Sequence, residues 1–180
     1  MHWADFEAAA PELAVTSRAL LERWGCVLLG TIRRDGTPRI SPVEAHIVRG
    51  ELMLVLIAHT QKVVDVLRDP RVVLQSPVSD AADPGEELKV RGRAVAVGDA
   101  AQRSATADAI AGASGWRPAA SWRFFSLRLA AVAHIDWRGG DMVLTRWDRD
   151  RGIRPTECRR LDHAASRYVR VQFGDPDGPV

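Results

Sequence analysis

The sequence predicts an all-β fold: a mainly antiparallel barrel of about six strands, with short helices at its periphery. Three observations carry this. Between residues 26 and 147 several runs alternate apolar and polar residues, Glu87–Val97 (ELKVRGRAVAV) most plainly, which is the spacing of a strand with one buried face. Turn signals at Asp35-Gly36, Arg49-Gly50 and Gly139-Gly140 separate runs of this kind, as tight reversals between antiparallel neighbours require. The helical stretches are short and fall between strands. The 180 residues suit one domain with a continuous core, and closing about six strands would remove exposed edges.

Residues 1–25 form an N-terminal helical segment. Asp5 can cap a first short helix, and Pro11 fits the first turn of a second, where its missing N–H costs nothing. Leu13, Leu20, Leu21 and Trp24 share a face of that helix, and Gly25 stops it. The barrel is expected over residues 26–150. Cys26–Arg34 is β-rich and turns through Asp35-Gly36 into Arg39–Arg49, where Arg39, Ser41, Val43, Ala45 and Ile47 share one face. Pro42 places that strand at an edge or a bulge, because proline cannot donate to a ladder. Glu51–Ala58 is apolar on both faces and hence central.

A helix of about two turns follows, with Thr60 as its N-cap, Val63, Val66 and Leu67 buried, and Asp69-Pro70 at its end. Strands at Arg71–Val78 and Glu87–Val97 flank a polar loop, Ser79–Glu86. Asp99 caps an alanine-rich helix to about Ala111. Trp122–Trp137 and Met142–Trp147 form the last hairpin. Periodicity fades after Asp148, and residues 151–180 read as a basic segment with a flexible tail.

The composition excludes several classes. A net charge of +2 without a block of like charges argues against nucleic acid. No apolar run approaches the ~20 residues of a membrane helix, and the N-terminus lacks the features of a signal peptide, so a cytoplasmic protein is expected. Cys26 and Cys158 read as two idle thiols. The five histidines show no metal-ligand spacing. No nucleophile elbow, dinucleotide fingerprint or P-loop occurs.

One constellation remains. Lys62 is one of only two lysines among 25 basic residues. It sits in the first turn of its helix, where a cation opposes the dipole by some tenths of a kcal/mol. A bound anion would offset that cost, and a helix N-terminus offers free N–H groups to hold one. Arg39 and Ser41, on one strand face, are expected to approach Thr60 by hairpin counting. His59 adjoins the same place. The competing account is a solvated lysine, a surface arginine and a loop histidine.

The runs LGTIRRDGTPRISPV, GELMLVLIAHTQKVVDVLRDPRVVL and ELKVRGRAVAV resemble the flavin-binding split β-barrel superfamily of pyridoxamine 5′-phosphate oxidase and its relatives that use FMN or the deazaflavin F420. The most specific element is hydroxyl-x-Lys at the helix entry followed by Leu-x-x-Pro-Arg, here Thr60-Gln61-Lys62 and Leu67–Arg71. The resemblance implies a homodimer with two cofactors at its interface. It implies that Arg39, Ser41, Thr60 and Lys62 hold the cofactor phosphate. Val43 and Ala58 would contact the ring, with His59 beside the site and Gln75 a further ring or interface residue. The implied cofactor is FMN, with F420 as the alternative, and the implied activity is hydride transfer to or from a small molecule. A flavin or haem carrier or sensor without turnover is the alternative function. The arginine-rich C-terminal signature of true pyridoxamine phosphate oxidases has no convincing match, so that reaction itself is not expected.

Overall fold

The computed structural model describes residues 1–78, 85–138 and 140–172. Most of the expected Ser79–Glu86 loop, the first glycine of the Gly139-Gly140 turn and the end of the expected tail lie outside these. The helix α1 (Trp3–Ala9) is followed by α2 (Pro11–Glu22), with Pro11 in the first turn as expected. Asp5 lies inside the first turn rather than before it, and its carboxylate accepts from the His2 amide at 2.9 Å. Leu13, Leu20 and Leu21 are buried, each worth about 1.5–3 kcal/mol against exposure. Trp24, expected beside them, is half exposed, because the helix has ended and Gly25 turns away at φ 65°. Trp3 and Phe6 pack edge to face, and Phe6 meets Trp147 at 5.0 Å, so Trp147 is core.

β1 (Val27–Ile32) and β2 (Pro38–Val43) pair antiparallel. The turn is longer than two residues: Arg33 N–H bonds Thr37 O, and Gly36 adopts φ 84°. A single strand was expected from Arg39 to Arg49. The chain instead forms β2 and then β3 (Ala45–Val48), broken at Glu44. β2 is the terminal strand of its ladder, which suits Pro42. β3 pairs with β4 (Glu51–Leu56) through Arg49 and Gly50, at φ 54° and 73°, the left-handed pair of a type I′ turn.

After α3 (Gln61–Arg68) come β5 (Arg71–Gln75) and β6 (Glu86–Ala96), then α4 (Ala100–Ser114), capped by Asp99 as expected. β7 (Arg123–Arg138) is the longest strand, and β8 (Asp141–Asp148) folds back on it. The ladder runs β2-β1-β5-β6-β7-β4-β3. Its ends, β2 and β3, are joined covalently at Glu44 and not by strand pairing, so the sheet is an open, split barrel rather than a closed one.

β7 serves two neighbours on one edge: its first residues pair with β4 and its last with β8. A bulge opposite Arg91/Gly92 makes this bend. A Cβ on Gly92 would lie 2.3 Å from the Arg128 carbonyl oxygen, so only glycine permits the approach.

The segment from residue 151, expected to be irregular, carries β9 (Gly152–Ile153), β10 (Glu157–Asp162) and β11 (Arg167–Val171), bringing the sheet to 11 strands. The sheet edge of β8 supplies what local periodicity does not: β10 pairs with it, and β11 with β10. Among the described residues, no helix is long and apolar enough to cross a membrane.

Candidate functional site

α3 is the element that organises the site. β4 ends at Leu56, Ile57 is half exposed, and His59 takes a left-handed conformation at φ 65°, uncommon for a residue with a side chain. Thr60 then returns to extended backbone as N-cap. Its hydroxyl does not cap: it donates to Ile57 O at 2.9 Å, while Thr60 O accepts from the amides of Val63 and Val64. Among the described residues, no acceptor meets the amides of Gln61 and Lys62. Two donors at the positive end of the helix are therefore unpaired.

Val63 and Val66 are buried as expected, but Leu67 is 58% exposed and Asp65, at 4%, takes the inward position. The reason lies across the helix. Asp65 Oδ2 accepts from Arg39 Nε at 2.7 Å and from Thr31 Oγ1 at 3.2 Å. Arg39 faces Thr31 across the β1–β2 ladder, so both donors reach α3 from one side. Arg39 thus approaches the helix through β1, not through pairing with β4, since the partners of β4 are β3 and β7 and not β2. Among the described residues, Nε of Arg39 bonds Asp65 and no partner meets the terminal nitrogens of the guanidinium.

Val43 and Lys62 come together. Both line a cleft of about 270 Å³, with Gly25, Pro42, Glu44, Ile57 and Trp122 among its walls. Lys62 has no ion pair or hydrogen bond among the described residues. Ser41 points to the same face of the sheet as Arg39 and Val43, a face that packs on the core through their partners Leu29, Thr31 and Val27. Ala58 lies between Ile57 and His59 at the approach to α3. Gln75 does not line this cleft; it pairs with Leu28, in the row of the cleft residue Pro42.

Asp65, Glu44 and His46 were not read from the sequence as site residues. Burial pushes the His46 imidazole below its usual value, against the pull of Glu44 at 3.4 Å, so it is neutral at pH 7. Its ring stacks on Trp116, and Trp116 meets Trp122 at 5.3 Å, building an aromatic wall beside the cleft. Cys26 also lines the cleft; both cysteines are free. Among the described residues, no three metal-ligating side chains gather. The site offers donors and a cation for an anion, next to an apolar and aromatic cleft.

No protein-family model matches the sequence, and no curated protein matches it significantly. Solved structures do match in fold. A protein described as an F420 reductase is 25% identical, with TM-score 0.50, over 64% of this chain and 94% of its own. ChuZ of Campylobacter jejuni superposes with TM-score 0.65 at 8% identity, over 79% of this chain and 62% of its own. A protein of the pyridoxinephosphate oxidase family from Clostridium acetobutylicum, related to general stress protein 26, is 15% identical, with TM-score 0.55, over 76% of this chain and 94% of its own. The order of strands, the open seam at Glu44 and these likenesses agree: the chain has the split-barrel fold of the pyridoxamine 5′-phosphate oxidase-like superfamily.

Proposed function

We propose that the protein is a flavin-dependent oxidoreductase that binds FMN, or F420 in its place, by the cofactor phosphate at the start of α3. The observation that carries this reading is Lys62: a lysine in the first turn of a helix, on the wall of an apolar cleft, with no partner among the described residues for it or for the two amides beside it. A cation there costs some tenths of a kcal/mol against the dipole, and a phosphate reverses the sign of that interaction. The donor set fits the group. Lys62 and the Gln61 and Lys62 amides meet a phosphate directly, and the free end of Arg39, held by Asp65, meets it from β2 with Ser41 and Thr60 nearby. Val43 and Ala58 border the space for the ring, with Trp122 excluding water on the far side.

The bound flavin supplies hydride chemistry of its own, so the protein need only anchor, orient and dry the ring. The likeness to a protein described as an F420 reductase supports a flavin-class cofactor. A homodimer belongs to the same reading. The cleft, at about 270 Å³, lies at the small end of ordinary ligand pockets, roughly 300–1,000 Å³, and in this reading a second chain completes it.

An absorbance spectrum of the purified protein, with mass spectrometry of the released ligand, tests the assignment. The expected result is a flavin or deazaflavin spectrum that bleaches with a reductant. A colourless protein that binds neither FMN nor F420 on titration would refute it.

A further inference from the structure

The outer face of the sheet carries a second concave surface. Register sets two rows of side chains there: Gln75, Lys89, Ala133 and Arg146 in one, Val73, Arg91, Ala131 and Asp148 in the next. The β7 members of both rows are alanines, so the floor is low, while the strands on either side carry long cations. Arg154, which follows β9 and whose amide bonds Arg146 O, closes the far wall. The result is a cleft of about 330 Å³.

Its charge is unbalanced. Lys89 pairs with Glu87 at 2.6 Å, and Arg146 pairs with Glu157. Among the described residues, Arg91 and Arg154 have no ion pair at all, and Arg146 Nε is buried without a hydrogen-bond partner. The one carboxylate in the lining, Asp148, accepts from the amides of Asp150 and Arg151 at 2.9 and 3.1 Å, and the charge of Arg154 reaches it only through space. Like charges gathered on one sheet face are destabilising, and among the described residues no carboxylate pairs with Arg91 to offset that.

We propose that this cleft is a second oxyanion-binding site, for a ligand carrying at least two acidic oxygens of the phosphoryl or carboxylate kind. Arg91 and Arg154 are its anchors, one from each wall. Guanidinium groups hold either oxyanion through paired N–H bonds. Gln75, in the Lys89 row, adds a neutral amide at the edge. The site is separate from the cleft beside α3, because the two share no lining residue.

Calorimetric titration of the full chain at low salt with inorganic pyrophosphate, and separately with citrate, tests this, each with and without FMN. The expected result is one site per chain, unaffected by FMN, weakened at least tenfold in Arg91→Ala/Arg154→Ala and in Arg91→Gln/Arg154→Gln, with melting curves unchanged. Tighter binding of pyrophosphate identifies a phosphoryl ligand, and tighter citrate a polycarboxylate. The proposal is overturned if the unaltered protein binds neither probe, or if the arginine variants bind as well as it does. It is equally overturned if Arg39→Ala/Lys62→Ala abolishes the binding instead, since the anion would then sit at α3.

Discussion

Asp65 is 4% exposed and takes hydrogen bonds from Arg39 and Thr31, so the direction of the Arg39 guanidinium is set by a buried carboxylate. Removing one partner of such a pair leaves an uncompensated charge, which costs about 3 kcal/mol or more. Asp65→Ala is expected to lower unfolding stability by about that amount in urea titration; a change within experimental error would show that Arg39 needs no fixed partner. Lys62 was legible in the sequence because it is a rare lysine in a position that helix electrostatics disfavours. Asp65 was not. Helical spacing lets Leu67 join Val63 and Val66 as readily as it admits Asp65, and only the guanidinium arriving from β2 decides between them.

The split of one expected strand into β2 and β3 is what opens the barrel, and it turns on Glu44, where pairing leaves β1 for β4. Alternation runs unbroken from Arg39 to Ile47, so the sequence pattern shows the inward face but not the change of partner. β10 and β11 were illegible for a related reason: their stabilisation comes from the edge of β8, not from local periodicity. The bulge in β7 depends on Gly92, and Gly92→Ala forces its new Cβ against the Arg128 carbonyl. An expected loss of about 1–3 kcal/mol, as for other overpacked sites, is readable in the same urea titration. The N-terminal helices are fastened by Glu51, which accepts from Ser126 and from Arg128 at 2.7 Å and pairs with His2. Burial pushes the Glu51 carboxyl up, but these bonds outweigh it and leave the group below its usual value of 4.5. Because the folded value is the lower one, the unfolded chain binds the proton first: the stabilisation is present above about pH 4.5 and is lost as pH falls through the folded value. Tryptophan fluorescence, to which the buried Trp3 of α1 contributes, should show this acid loss in the unaltered protein and a flatter profile in Glu51→Gln.

For the whole molecule, the proposed dimer would find an apolar surface on the exposed face of α3. Ile57, Val64 and Leu67 are each at least half exposed and surround the helix that forms the anchor. Exposed apolar side chains of this kind are what an association surface would use. Sedimentation should therefore find a dimer, and Val64→Asp/Leu67→Asp should shift it to monomer and weaken FMN binding together. A monomeric unaltered protein would separate the cofactor site from any interface. The account as a whole stands on the phosphate anchor, and the affinity for FMN measures it directly, by fluorescence quenching in the unaltered protein and in Arg39→Ala/Lys62→Ala. Loss of two charge-assisted contacts predicts a weakening of about 3 kcal/mol, roughly a hundredfold in Kd, with the fold intact by circular dichroism. Equal affinity in the two proteins would contradict it.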